Sequence, residues 1–308
     1  MGQARCWTTL SGFSTASLRR DTGEGPTRAE QVTGPVAYHG EGPVWSNRWG
    51  GLRWVDMFAG DILSLREDER IERRHVSAIV AAVRPRIAGG VLFAVERGFA
   101  LEDPDGTLTL LDQVWSDTNL RMNEGGCDPD GRFYCGSMAY DRTPGAGALH
   151  RLDTDGSVSV VLEHVTVSNG LDWSPDGSRA YYVDTATQRI DVFDYEPEAG
   201  LSDRRVFVEV PARDGRPDGI AVDADGGVWV ALNRGGAVRR YAASGDVDAV
   251  VELPVAKVTG CAFGGARLDE LFITTSREGL SPDEEPPAGA LFRASVGVRG
   301  LPVREFAG

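Results

Sequence analysis

The sequence of 308 residues has no uninterrupted apolar run of about 18 residues, the length that a transmembrane helix needs. It also lacks the apolar core of a secretory signal, because residues 1 to about 30 are polar and rich in Thr, Arg and Gly. We therefore expect a cytoplasmic protein without a membrane partner. We expect residues 1–30 to form a disordered extension.

Cysteine and histidine are scarce, with four residues of each. No two cysteines form a CxxC pair, and no cluster of histidines accompanies them. These absences argue against a thiolate metal site. We expect most of the cysteines to be small buried apolar residues; they are Cys6, Cys127, Cys135 and Cys261.

Basic residues are outnumbered, with 32 Lys and Arg against 46 Asp and Glu, for a formal net charge of -14. Such an acidic surplus repels phosphate backbones and anionic membranes, so nucleic acid is not an expected partner. A linker is also missing, since Gly and Pro are scattered at turn spacing and no low-complexity block marks a boundary. We expect residues 31–308 to form a single domain.

Helical patterns are few. The charged run 66–70 is too short and too irregular for a stable helix, and we interpret it as a loop between strands. Runs of β-branched and aromatic residues at 90–95, 205–210 and 270–275 are typical of strands. The predicted class is all-β.

Two features recur along the chain. Turns ending in Asp-Gly lie between strand-like segments at 103–106, 128–131, 153–156, 174–177 and 223–226. Polar positions that open strands, which we call stations, recur at the roughly 40 to 50 residues expected of a four-stranded propeller blade. The stations are Glu41, the neighbourhood of Arg84, Asn123, Asn169, Asp218 and Thr259.

Six stations predict a six-bladed β-propeller with four-stranded antiparallel blades around a central channel. The alternative is a generic β-protein whose Asp-Gly hairpins are regularly spaced. In a propeller the first strand of each blade lines the channel, so residues at matching stations converge although they are distant in sequence.

Four stations carry side-chain oxygens, namely Glu41, Asn123, Asn169 and Asp218. Two carboxylates and two amides suit one hard divalent cation, and calcium, magnesium or manganese is favoured over zinc. Zinc and iron(II) remain open, since cellular supply can override ligand preference. Each residue alone is equally typical of a turn or a strand entry. The blade spacing of the set favours a metal site.

Several motifs together carry a family resemblance. They are Gly-Glu-Gly-Pro-Val-Trp at 40–45, Arg-Met-Asn-Glu-Gly at 121–125, Ser-Asn-Gly-Leu-Asp-Trp-Ser-Pro-Asp-Gly at 168–177, Pro-Asp-Gly at 217–219 and Gly-Cys-Ala-Phe-Gly-Gly at 260–265. In this order they resemble the regucalcin/gluconolactonase family of six-bladed propellers over roughly residues 32 to 300.

The resemblance implies one divalent metal at the mouth of the channel, held by Glu41, Asn123, Asn169 and Asp218. It also implies that Arg121 contacts substrate oxygens, with Asn123 and Glu124 beside it as substrate-binding residues. The family more often has Asp at the position of Glu124, and this departure bears on the shape of the substrate pocket.

The function implied is that of a metal-dependent hydrolase opening a sugar lactone. The cation would polarise the carbonyl while a carboxylate activates water. Asp218 is the expected base, with Glu124 or a metal-bound hydroxide as alternatives. A phosphotriesterase or other esterase on the same fold is one rival. A non-catalytic calcium-binding propeller is another.

Aromatic residues divide into two groups. We expect Trp54, Trp173 and Trp229 to pack between blades. Residues 139–147 interrupt the strand pattern and are either a lid over the site or an idle hairpin. On this rim we expect Tyr140 or Phe99 to pack on a sugar face.

Overall fold

The structure, a computed structural model, describes residues 27–66, 68–281 and 283–308. Within these residues six sheets form the six blades of a β-propeller, and neighbouring strands within a blade are antiparallel. The predicted fold is confirmed. The described segments contain no helix long and apolar enough to cross a membrane.

Each of blades 1 to 4 is one continuous stretch of chain. The strands of blades 1 and 2 are Gly40–Ser46, Gly51–Asp56, Asp61–Leu65 and Ile71–His75, then Val80–Pro85, Val91–Val95, Gly98–Glu102 and Leu108–Leu110. Those of blades 3 and 4 are Leu120–Cys127, Phe133–Ala139, Gly147–Leu152 and Val158–Val165, then Ser168–Trp173, Arg179–Asp184, Arg189–Glu196 and Gly200–Glu209.

Blades 5 and 6 are completed by strands from the N-terminal part of the described chain. Blade 5 consists of Arg216–Val222, Val228–Asn233, Ala237–Tyr241 and Val247–Glu252, to which Thr27–Arg28 adds in parallel. Blade 6 consists of Val258–Gly264, Glu270–Thr275, Phe292–Ser295 and the short strand Glu30–Gln31. This last pairing closes the ring.

Residues 27–30 of the expected extension therefore lie in or between short strands, whereas residues 1–26 are outside the described residues. At the other end of the chain, Phe306 is buried and pairs with blade 2 through its backbone N–H, which donates to Pro85 O at 2.9 Å. The last residues thus cover the channel opening opposite the stations.

The Asp-Gly turns have the geometry that their sequence predicts. The turn glycine has a positive φ of 86° at Gly106 and 73° at Gly177, a region that glycine enters without steric cost. In each turn its N–H donates to the carbonyl three residues earlier, as in Gly106 to Asp103 at 2.9 Å. Each of these turns joins two neighbouring antiparallel strands of one blade.

Every first strand has a register shift at or beside its station. In blade 4 the shift lies between Ser168 and Leu171, and in blade 5 between Pro217 and Ile220. A β-bulge of this kind leaves residues out of the ladder and re-aims their side chains. The repeated bulge is what turns the station side chains toward the channel.

The station of blade 2 differs from the expected one. Its register shift lies between Val80 and Ala82, which makes Ala81 the station residue. Arg84 lies further along the strand, and its guanidinium donates to the carbonyls of Val83 and Gly125 and lines a cavity at the opposite end of the channel. The expected neighbourhood of Arg84 is the correct strand, but the station residue itself was not identified, because Ala81 has no polar side chain to mark it.

The core lies between the blades. Trp54, Trp173 and Trp229 are almost fully buried there, as expected. Phe99 is also fully buried, with its ring edge-on to Phe133 at 5.9 Å between centroids, so its expected place on the rim was wrong. The described cysteines are buried and unpaired, in agreement with their expected role; they are Cys127, Cys135 and Cys261.

Candidate functional site

Three buried carboxylates meet inside the channel. Glu41, Glu124 and Asp218 come from the first strands of blades 1, 3 and 5, and one oxygen of each lies within 4.8 Å of the others. We call this set the carboxylate cluster. All three residues are at most 8% exposed. Sequences of different blades thus converge as the station spacing predicts.

Glu124 joins the cluster because of the bulge in blade 3. The ladder slips between Met122 and Gly125, so Asn123 and Glu124 both lie outside its regular pairing. Successive residues of a regular strand point to opposite faces, whereas here the two neighbours both project inward. Glu124 is absent from the wall of the cavity that contains Arg121 and lies instead against the other carboxylates.

Asn169 is held in one orientation by a chain of hydrogen bonds. Its Nδ2 donates to Thr185 Oγ1 at 2.7 Å, and that hydroxyl donates in turn to Pro217 O at 2.7 Å. Because the hydroxyl proton is used on Pro217, Thr185 accepts from Asn169. The amide oxygen of Asn169 is therefore left on the side of the channel, where Asn123 Nδ2 lies 2.8 Å away.

Asp218 is oriented through one of its two oxygens. Asn233 Nδ2 donates to Asp218 Oδ2 at 3.0 Å, while Asp218 Oδ1 is buried without a hydrogen-bond partner among the described residues. Glu124 Oε2 is buried and unpartnered in the same way. Buried carboxylate oxygens without hydrogen-bond partners are the kind of hard donor that a divalent cation prefers, so the residues present fit a metal.

Glu41 lies beside a neutral histidine. Glu41 Oε2 accepts from the N–H of Gly42 at 3.3 Å, and His39 Nε2 lies 3.5 Å from Glu41 Oε1. Burial lowers the pKa of His39 to about 3, so the ring carries no charge at neutral pH. His39 Nδ1 is 2.7 Å from Ser276 Oγ, which fixes the ring. Glu41 therefore forms no ion pair with a charged side chain among the described residues.

The electrostatics of the cluster favour a cation. Burial raises the pKa of Glu124 to about 8 and that of Asp218 to about 7, and it raises the pKa of Glu41 well above its usual range. The charge of Asp218 raises the pKa of the other two further. Repulsion between carboxylates at this distance disfavours their ionised forms, and a divalent cation would stabilise those forms.

Arg121 connects the cluster to the open cavity. Its Nη1 donates to Asn123 Oδ1 at 2.6 Å, and the guanidinium lies between the rings of Phe58 and Tyr140 at 5.2 and 5.7 Å from their centroids. Its Nε is buried without a partner among the described residues. Held by two aromatic faces, this guanidinium has donors to spare for a ligand.

A cavity of about 240 Å³ opens above these residues at the mouth of the channel. Glu41, Asn169, Asp218 and Arg121 all line it. The segment 139–147 reaches it as well, because Tyr140 and Arg142 are on its wall; Tyr140 donates its hydroxyl hydrogen bond to Glu96 Oε1 at 2.7 Å. The structure places the expected site residues together, with Glu124 beneath rather than on the wall.

The orienting residues were not foreseen in the sequence. Thr185, Asn233 and Ser276 all lie where the second strand of a blade ends, next to the start of the first strand. They follow the stations Asn169, Asp218 and Thr259 by 15 to 17 residues. A polar residue at that distance after a station is a signal that could have identified them.

Comparisons with known proteins agree with this architecture. Residues 39–277 match the family described as "SMP-30/Gluconolactonase/LRE-like region". The regucalcin of Sus scrofa is 36% identical over 283 residues, which cover 87% of this chain and 95% of that protein. The expected family resemblance is confirmed.

Solved structures give the same result. A calcium-binding protein, regucalcin, from Agrobacterium tumefaciens superposes with a TM-score of 0.86 at 27% identity, covering 92% of this chain and 98% of that one. A luciferin-regenerating enzyme superposes with a TM-score of 0.84 at 27% identity, covering 92% and 100%. The chain belongs to the SMP-30/gluconolactonase/LRE-like family.

Proposed function

We propose that this protein is a metal-dependent hydrolase that opens a sugar lactone. The observation that carries the proposal is the carboxylate cluster, with its orphaned oxygens, at the floor of a cavity whose wall holds Arg121. The family description, which includes gluconolactonase, supports the same reaction class. A small molecule is therefore the proposed substrate.

Glu41, Asn123, Asn169 and Asp218 would hold one divalent cation; all four line the cavity, and Asn123 also connects them to Arg121. Hard oxygen donors favour calcium, magnesium or manganese, while zinc and iron(II) remain open. When bound, the cation supplies Lewis acidity to a carbonyl oxygen and stabilises the charge that develops on it.

The protein's own residues supply the remaining parts of the reaction. Asp218 is the proposed base that takes a proton from water, because it lines the cavity and its Oδ1 has no hydrogen-bond partner among the described residues. Glu124 does not reach the cavity wall, so we assign it to charge balance at the metal. Arg121 would orient the ring hydroxyls of the substrate or the carboxylate of the product.

The test is a metal-reconstitution assay. Protein stripped by a chelator is reloaded separately with calcium, magnesium, manganese, zinc or iron(II), and acid release is followed on aldonolactones and on a phosphotriester. We expect turnover of a lactone only with metal. If the protein hydrolysed the phosphotriester but no lactone, the lactonase proposal would be wrong and the phosphotriesterase alternative would be supported.

A second function, calcium binding without catalysis, is favoured by one relative, since the Agrobacterium tumefaciens structure is described as a calcium-binding protein. This function would be supported if calorimetry showed that calcium binds the stripped protein and if neither lactone nor phosphotriester were turned over with metal. Loss of calcium binding in Asp218→Ala and Asn169→Ala, with the fold retained, is expected under both.

A further inference from the structure

Cationic side chains surround the mouth of the cavity. Besides Arg121, four of them line it: Arg142, Arg216, Arg234 and Lys257. Arg142 comes from the 139–147 segment of blade 3, Arg216 and Arg234 come from blade 5, and Lys257 precedes the first strand of blade 6. We call these four residues the basic rim. Residues of three blades thus place positive charge over one opening.

The charge of the basic rim is opposite in sign to the net charge of the protein. The chain carries a formal net charge of -14. Among the described residues, the carboxylates that line the cavity are Glu41, Asp218 and Glu278. Glu41 and Asp218 belong to the carboxylate cluster below. A concentration of positive charge on an acidic protein attracts anions to that place.

The basic rim is also free of ion pairs. Elsewhere on the described surface arginines are commonly paired with carboxylates, as Arg204 is with Asp191 and Arg240 with Asp223, both at 2.6 Å. No residue of the rim lies within 4.0 Å of a carboxylate from the described part of the chain. Arg142, Arg216 and Arg234 are exposed and so available to a ligand.

The rim and the carboxylate cluster face the same cavity. Arg142 and Lys257 line it, and so do Glu41 and Asp218. A ligand spanning the two would meet cations at its outer end and the metal site at its inner end.

We propose that the substrate is anionic, a sugar lactone that carries a phosphate or carboxylate group remote from its ring carbonyl. This inference rests on the proposed lactonase function and deepens it. The carbonyl lies at the carboxylate cluster, and the remote anion lies among the guanidinium groups of the rim. Guanidinium forks bind phosphate and carboxylate through paired hydrogen bonds, so both anions fit the same chemistry.

The first test compares turnover by the metal-loaded full chain. The substrates are glucono-1,5-lactone, its 6-phosphate and a lactone of glucaric acid, which separate the neutral, phosphate and carboxylate cases. We expect kcat/KM to be at least about tenfold higher for one of the anionic lactones, the preference expected from a charge-assisted hydrogen bond. The preference should shrink at high salt, because exposed charges are screened.

Variants connect the preference to the rim. Arg142→Gln and the double change Arg216→Gln with Arg234→Gln should lower the ratio of kcat/KM for anionic over neutral lactone by about tenfold or more. Arg213→Gln is the matched control, because Arg213 is exposed, close in sequence to Arg216 and absent from the cavity wall. An equal ratio in the rim variants and the control would overturn the proposal.

A binding measurement keeps the inference separate from the lactonase proposal. Gluconate, 6-phosphogluconate and glucarate, which do not react, are titrated calorimetrically into calcium-loaded protein. Binding of 6-phosphogluconate or glucarate at least about tenfold tighter than that of gluconate supports an anionic ligand even if no lactone is turned over. Equal affinities, or turnover of the neutral lactone without any preference, would overturn the anionic substrate and leave the lactonase proposal standing.

Discussion

Asn169 donates a hydrogen bond from its amide Nδ2 to Thr185 Oγ1, and the 2.7 Å between these atoms holds the amide oxygen toward the channel. Thr185→Val removes the acceptor while conserving side-chain shape. Residues that orient metal ligands are worth about 10- to 100-fold in metal affinity. We therefore expect calcium to bind about 10- to 100-fold more weakly to this variant in a calorimetric titration.

The control for this change lies in the same short turn. Thr187 Oγ1 donates to Asp184 O at 2.8 Å, and the side chain of Asn169 bonds to Thr185 and Asn123 instead. Thr187→Val should therefore leave calcium affinity unchanged. If both valine variants bound calcium as the unaltered protein does, the orienting role of Thr185 would be wrong.

Glu124→Gln should stabilise the metal-free protein. Burial raises the pKa of Glu124 to about 8, so the folded metal-free protein has to keep this carboxyl protonated near neutral pH. An amide is neutral at every pH and adds a donor beside the buried carboxylates Glu41 and Asp218. An unsatisfied buried polar atom such as Glu124 Oε2 costs about 1 to 3 kcal/mol. We expect a higher melting temperature in chelator and a smaller increase on addition of calcium.

Asp172 provides the contrast to Glu124. It too is a carboxylate with a raised pKa from burial, but it accepts from the N–H of Trp173 at 2.8 Å and of Val222 at 2.7 Å. Asp172→Asn replaces one acceptor by a donor and should lower stability equally with and without calcium. A Glu124→Gln variant that melted lower in chelator would contradict the proposed charge repulsion.

Much of the fold could be predicted because its signals are local. Asp-Gly turn chemistry is determined by neighbouring residues, so the repeat was visible in the sequence. Ala81 was missed because a bulge with an apolar residue leaves no compositional sign. Phe99 is close in sequence to Glu96, and this proximity suggested a place on the rim. Its ring lies in the core instead.

The site was predictable only as far as its stations. Glu124 follows Asn123, and the alternation of a regular strand would have directed the two to opposite faces; only the register shift brings both inward. The basic rim was not predicted, because Arg142 and Arg216 come from different blades and approach one opening only after the ring has closed.

The stability of the metal-free protein should fall as pH rises from 6.5 to 8. Asp218 and Glu124 have folded-state pKa values of about 7 and about 8, whereas unfolded carboxyls titrate near 4. The folded state therefore binds more protons in this window, and deprotonation favours unfolding by up to about 1.4 kcal/mol per pH unit for each group.

Two buried histidines affect stability mainly below this pH range. His39 and His150 have pKa values lowered by burial to about 3 and about 4, so their contribution to stability rises with pH until the unfolded pKa near 6.5 is passed. Urea titrations in chelator should show the fall above pH 6.5, and Glu124→Gln should reduce it. A stability that rose between pH 6.5 and 8 would refute the assignment.

Arg121→Ala should separate turnover from metal binding. The guanidinium is held by Phe58 and Tyr140 and has an unpartnered Nε among the described residues. Loss of one positioned donor commonly costs about 10²- to 10³-fold in kcat. We expect a loss of this size on a lactone, with calcium affinity within about threefold of the unaltered protein, since its charge lies outside the donor set.

Arg84→Ala is the control for Arg121→Ala. Arg84 also comes from a first strand, but it lines the cavity at the opposite end of the channel. Its removal should lower stability through the lost hydrogen bond to Val83 O without changing kcat/KM. Equal kinetic losses in both variants would remove the substrate role from Arg121.

The carboxylate cluster joins blades on the two sides of the ring closure. Blade 6, which is completed by the two-residue strand Glu30–Gln31, lies between blade 5 and blade 1. At the junction of blade 6 with blade 1, Thr259 donates to Gly40 O at 2.6 Å, immediately before Glu41. A cation bound by both Glu41 and Asp218 would link blade 1 to blade 5, which lie on either side of blade 6. Metal binding would therefore stabilise the closed ring.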